Sequence, residues 1–202
     1  MALAGHTGDA STAISALTSD DGSVRATALQ ALERIGRLDD PTIERSLADP
    51  DPQVRRRAVA LAATRPAIGL LGALDDRDEL VVETACWAFG EREQVDDATL
   101  DRLIGLAGAH RDPLVREAAV AALGAIGDER GLPAILVGTT DKPAVRRRAV
   151  IALAPFDGPD VDAALTRALS DRDWQVREAA EELQRAGDAE TDDWDEVPTD
   201  PG

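Results

Sequence analysis

The chain has 202 residues, 39 acidic and 22 basic, for a formal net charge of −17; 44% of it is hydrophobic and 2% aromatic. A chain this acidic repels nucleic acid and anionic membrane surfaces at long range, which argues against both as general partners. Its one cysteine, Cys86, excludes an intrachain disulfide and a cysteine-based metal site.

From the N-terminus, the first nine residues lack the basic region and the apolar stretch of a secretory signal. No later run approaches the ~20 apolar residues of a membrane span. The expected location is therefore the cytoplasm. The apolar set is mostly Ala, Leu and Val. Ala and Leu favour helices, and small residues suit closely packed helices.

One phrase then recurs along the chain. It reads Asp21-Gly-Ser-Val24-Arg25, Asp51-Pro-Gln-Val54-Arg55, Asp78-Glu-Leu-Val81-Val82, Asp112-Pro-Leu-Val115-Arg116, Lys142-Pro-Ala-Val145-Arg146 and Asp173-Trp-Gln-Val176-Arg177. Successive valines lie 30, 27, 34, 30 and 31 residues apart. An alanine follows each valine by four residues: Ala28, Ala58, Ala85, Ala119, Ala149 and Ala180. Internal repeats at such a period mark a solenoid.

Physically the phrase is a helix start. An Asp side chain accepts an orphan N–H of the first turn and meets the positive end of the helix dipole. Pro52, Pro113 and Pro143 fall at the first helical position, where a missing N–H costs nothing. Val54, Ala58 and Leu61 then form one apolar stripe at helical spacing.

Each phrase opens a second helix (B), and a shorter first helix (A) precedes it, expected at 10–18, 41–48, 66–74, 98–109, 129–138 and 159–169. Six hairpin repeats follow, at about 10–36, 39–64, 66–91, 97–127, 128–155 and 158–187. No segment alternates with period two for the length of a strand, so the expected class is all-α. Residues 188–202 are acidic, Pro-containing and nearly devoid of apolar residues, and composition predicts a disordered tail. Trp194 within it is a candidate anchor for a short linear motif.

The repeat resembles the short HEAT repeats often called PBS-lyase-like, over about residues 10–186. The resemblance implies a right-handed α-solenoid of armadillo type, gently curved, with the B helices on its concave side. It also implies that Asp21, Asp51, Asp78, Asp112 and Asp173 cap the B helices. In the same way Arg25, Arg55, Arg116, Arg146 and Arg177 would reach along the stack to acids of a neighbouring repeat. Repeat three departs, with Val82 in the Arg place. Repeat five has Lys142 in the cap place and Asp141 one residue early. Both are expected to be tied less tightly to their neighbours. The Asp-rich, Lys-poor surface also resembles the cytosolic proteins of salt-loving archaea, where concentrated salt screens self-repulsion.

Candidate chemistry is sparse. His6 precedes the repeats, His110 lies in a turn, and nothing pairs either with a nucleophile. Cys86 reads as a buried small hydrophobe. One enzyme of this repeat class, deoxyhypusine hydroxylase, holds iron with His-Glu pairs. Here Thr7 follows His6 and Arg111 follows His110, so that enzyme is excluded. The sequence therefore predicts no catalytic residue, no metal and no cofactor. The alternative is an accessory or lyase-like protein that binds a cofactor or chaperones a modified protein.

A solenoid works through the face that stacking leaves open. With 100° per residue, the side of helix B opposite its apolar stripe falls near Val+2, Val+6 and Val+9. The Val+2 set includes Arg56, Glu83, Glu117 and Arg147, and the Val+6 set Trp87 and Ile151. Trp is a favoured interface anchor, so Trp87 leads this set. Arg56 and Arg147 are islands of positive charge suited to a carboxylate or phosphate. Trp174 reads instead as a turn-packing residue. The expected function is a non-catalytic scaffold, monomeric when free, that holds another protein on the B-helix face.

Overall fold

A computed structural model describes residues 10–195, and every regular element among them is helical. The α-helices are α1 (Ala10–Ala16), α2 (Gly22–Arg34), α3 (Asp40–Leu47), α4 (Pro52–Ala62), α5 (Glu79–Gly90), α6 (Asp97–Ala109), α7 (Pro113–Ile126), α8 (Leu132–Gly138), α9 (Pro143–Ala152), α10 (Pro159–Ala168) and α11 (Trp174–Asp195). The chain divides within α6 into two compact units, one ending at Arg102 and the next beginning at Leu103.

The recurrent phrase starts a helix at all six positions. Five times an Asp side chain accepts the N–H two residues on. Asp21 takes that of Ser23, Asp51 of Gln53, Asp78 of Leu80, Asp112 of Leu114 and Asp173 of Gln175, at 2.8 to 3.0 Å. Lys142 makes no such bond, and α9 begins on Pro143 without a side-chain cap.

In the first unit α2, α4 and α5 pack side by side, with α1 against α2 and α3 against α4. Val54, Val81, Ala28, Ala58 and Ala85 are buried, as the stripe requires. Val24 is exposed, because no described hairpin lies beyond α1 and α2 to cover it. Repeat three lacks its first α-helix. Residues 66–74 hold only the start of a short 3-10 turn, Leu71–Asp75. Pro66, Gly69 and Gly72 crowd this segment, and a Gly in a helix interior costs about 1 kcal/mol relative to Ala. Ile68, Leu70 and Leu74 are nevertheless fully buried and fill the place of the missing helix.

In the second unit α7, α9 and α11 pack in sequence, with α8 against α7 and α9 and with α10 against α8, α9 and α11. Val115, Val145, Val176, Ala119, Ala149 and Ala180 are buried. Helices α7 and α9 approach closely at Gly124, where a Cβ would lie 2.6 Å from that of Ala152. Gly127, at φ 69°, closes α7 by returning its N–H to the Leu123 carbonyl.

The last helix runs to Asp195, eight residues past the boundary that composition suggests. Ala and Glu within this stretch are strong helix formers and continue a helix already nucleated by its packed first turns. Residues 1–9 and 196–202 lie outside the described residues, as do the side chains from 188 onward, so the expectations for His6 and Trp194 fall outside them too.

Candidate functional site

The B helices hold three kinds of polar side chain, and their geometry separates structure from site. The first kind is the arginine after the valine. Arg25 Nε and Nη2 donate to Asp49 at 2.9 and 2.6 Å, and Arg55 donates in the same way to Asp76 at 2.7 and 2.8 Å. In the second unit Arg116 grips Asp141 at 2.6 and 2.7 Å, and Arg146 grips Asp171 at 2.8 and 2.7 Å. Each Nη1 also donates to a main-chain carbonyl of its own turn: Ser19, Asp49, His110 and Asp141 respectively. Arg177 makes the same bond to the Asp171 carbonyl. The sequence identified these arginines but not their acids, which stand one or two residues before the cap position. The first four tie the stack together and are occupied; Arg177, expected to reach an acid of a neighbouring repeat, holds only its own turn, because no described hairpin follows α11.

Electrostatics follows this geometry. Hydrogen bonds from Arg55, Arg116 and Arg146 hold the carboxyls of Asp76, Asp141 and Asp171 below the usual carboxylate range, against the opposing effect of burial. Repeat five was expected to be loosely tied, and it is not. Asp141 accepts from Arg116 while Arg146 reaches Asp171, so the missing cap at Lys142 leaves the ladder intact. In repeat three Val82 fills the arginine place and is buried.

The second kind lies on the open face. In the first unit α2, α4 and α5 line a groove of about 830 Å³. Its residues keep one register across the three helices. Ser23, Gln53 and Leu80 precede their valines by one residue; Ala26, Arg56 and Glu83 follow by two, and Thr27, Arg57 and Thr84 by three. Thr27 and Thr84 donate their hydroxyls to the carbonyls of Ser23 and Leu80, which leaves their oxygens as acceptors. Arg57 donates to the Gln30 side chain, whereas exposed Arg56 makes no hydrogen bond or ion pair among the described residues.

Trp87 lies one turn beyond Glu83 on the same face of α5. It is 48% exposed, and Leu80, seven residues before it, is 47% exposed. The Val+2 and Val+6 wheel thus located Arg56, Glu83 and Trp87. It missed Leu80, Gln53 and Thr84, because the open stripe is wider than one position per turn.

In the second unit Arg147 is exposed and likewise unpaired among the described residues, and Ile151 is 39% exposed. Glu117 is partly buried and lies 3.9 Å from Arg148. The two arginine triplets therefore divide their labour alike. In each, the first arginine joins the ladder, the second stays free and the third reaches back to the preceding B helix.

The third kind is turn chemistry. His110 Nδ1 accepts the Asp112 N–H at 3.1 Å, and its carbonyl accepts from Arg116. Cys86 is fully buried, and desolvation pushes its thiol up to about 12, so it is a poor nucleophile. Trp174 does not pack into a turn. It opens α11 and is 61% exposed.

Residues 68–140 match the family profile for HEAT repeats. That segment is similar to HEAT repeats. Solved structures of HEAT and armadillo type share the fold of the chain. YibA of E. coli is 17% identical with a TM-score of 0.63, and the match covers 79% of this chain but only 62% of YibA. An engineered protein is 22% identical, with a TM-score of 0.61 over 89% of this chain and 97% of the other. A designed armadillo repeat protein solved in complex with the peptide (KR)4 is 19% identical, with a TM-score of 0.61 over 88% and 99%. No curated protein matches the sequence. Among the described residues no helix is long and apolar enough to cross a membrane.

Proposed function

We propose that the chain is a non-catalytic scaffold of the cytoplasm that holds another protein on the open face of its B helices. In the first unit Arg56, Glu83 and Trp87 make the contact, and in the second Glu117, Arg147 and Ile151. The observation that carries this reading is the exposed stripe of α5. Leu80 and Trp87 are each about half exposed while Val81, Val82, Cys86 and Phe89 between and behind them are buried. A tryptophan and a leucine exposed two turns apart on one helix face form an apolar stripe, and tryptophan is a favoured interface anchor. The designed armadillo protein of similar fold carries its peptide, which is in keeping with a polypeptide ligand here.

The test is affinity capture from the native lysate at native salt, with wild type and Trp87→Ala of matched stability as baits. Retention of one protein by wild type and its loss from the variant would support the reading. Equal recovery would place the contact elsewhere, and the absence of any retained protein would favour a cofactor or small ligand.

A further inference from the structure

The groove on α2, α4 and α5 has a chemistry more specific than an open face. Acids outnumber bases 39 to 22 in this chain, so an arginine rarely lacks a carboxylate in reach. Arg25 and Arg55 each hold one in a two-bond grip. Arg56 holds none, although it lines a groove that also contains Glu83 and the cap carboxylate of Asp78. Asp78 is engaged by the Leu80 N–H, and Arg57, beside Arg56, spends one N–H on a neutral amide. Two guanidinium groups thus face the groove without an acid of their own.

The apolar complement lies on the next helix. Leu80 and Trp87 flank Glu83 on the exposed stripe of α5. Adjacent packed helices stand about 8–10 Å apart. Three of them therefore span about 20 Å, the length of roughly six extended residues at about 3.3 Å each. In an extended chain alternate side chains point the same way, so an acidic residue over α4 and an apolar residue over α5 fall on one side of a single strand.

We propose that this groove docks an extended acidic–apolar peptide of a partner protein. A carboxylate side chain takes the Arg56 and Arg57 guanidinium groups, and an apolar side chain lies on the Leu80–Trp87 stripe. The proposal rests on the reading of the open face as protein-binding and adds the partner's chemistry. A guanidinium–carboxylate contact is charge-assisted and can be bidentate, which favours it over a neutral side chain at the same place. The negative charge of the rest of the chain opposes approach only within a Debye length, about 8 Å at physiological salt.

The experiment measures fluorescence anisotropy of three labelled octapeptides at about 0.15 M salt, where that screening holds. The peptides alternate pairs of leucines with pairs of glutamates, of glutamines or of lysines, so that each side of the extended strand carries both residue types. The glutamate peptide is expected to bind in preference to the other two. Arg56→Ala is expected to weaken it about tenfold or more, the effect of one charge-assisted hydrogen bond. Arg167→Ala changes the charge equally at an exposed position of α10, outside the groove, and is expected to leave binding unchanged. Both arginines are exposed, so both variants keep the fold, which circular dichroism checks. A preference for the lysine or glutamine peptide, equal weakening by both substitutions, or no binding of any peptide would overturn the proposal. If the peptides fail while Trp87→Ala still loses a captured partner, the acidic chemistry falls and the open-face reading stands.

Discussion

Arg55 and Asp76 are joined by two parallel hydrogen bonds, Nε to Oδ2 at 2.7 Å and Nη2 to Oδ1 at 2.8 Å, with side chains only 7% and 12% exposed. The pair spans from α4 to the turn before α5 and recurs, residue for residue in geometry, at Arg25–Asp49, Arg116–Asp141 and Arg146–Asp171. A charge so placed is stabilising only while its partner is ionised.

That condition gives a pH signature. The Arg55 hydrogen bonds hold the Asp76 carboxyl below its ordinary range and outweigh its burial. A depressed carboxyl contributes stability that is fully present above the unfolded value, near 3.9, and is lost as pH falls through the folded value. Asp76→Asn strands a largely buried guanidinium and is expected to cost roughly 3 kcal/mol at neutral pH. The gap between variant and wild type should begin to narrow below about pH 4, where Asp76 of the unfolded chain takes up a proton, and close as pH falls through the lower value of the folded state. Urea unfolding of both proteins at pH 7 and about pH 2 checks this, and an undiminished gap in acid would refute it.

Two glycines separate packing from propensity. A Cβ on Gly124 would meet the Cα of Ala152 at 2.7 Å, so α7 and α9 would have to move apart. Gly124→Ala is expected to destabilise by about 1–3 kcal/mol despite alanine's better helix propensity. On α6, Gly108 is exposed with nothing near its Cβ position, and Gly108→Ala should stabilise by up to about 1 kcal/mol. Thermal melts of the two variants should shift in opposite directions; a shift of the same sign would refute the close approach of α7 and α9.

Helix α5 carries a core face and an open face two residues apart. Phe89 is 3% exposed, and Phe89→Ala should cost about 3–5 kcal/mol. Trp87→Ala, on the open face, should cost no more than about 1 kcal/mol. A comparable loss for the two would mean that Trp87 is a packing residue and would undermine its role in partner binding.

Much of this was legible in the sequence, for a physical reason. A cap, a first-turn proline and a valine–alanine stripe are local signals, and they located all six B helices. The first helix of repeat three was misread because its apolar residues have helical spacing while Pro66, Gly69 and Gly72 oppose a helix. The ladder acids were not identified because partnership across about 25 residues leaves no periodic trace, and Asp49 and Asp51 read alike until one is seen to cap and the other to pair. The tail was misjudged by eight residues, since composition cannot register that α11 arrives already nucleated. Arg56 was legible as outward-facing, yet its lack of any partner was not.

The charge itself makes a last prediction. Of a net −17, most acids lie on the surface, where their mutual repulsion opposes the folded state and salt weakens it. Raising KCl from about 0.1 to 1 M shortens the Debye length from about 10 to 3 Å, which removes most interactions between exposed carboxylates. The ladder pairs lie at 2.6 to 2.7 Å in partly buried sites and are screened far less. Added KCl should therefore remove more repulsion than attraction, and the melting temperature followed by circular dichroism should rise over that interval. A melting temperature independent of KCl, with full folding at its lowest concentration, would refute the likeness to salt-adapted proteins and leave the acidity to solubility alone.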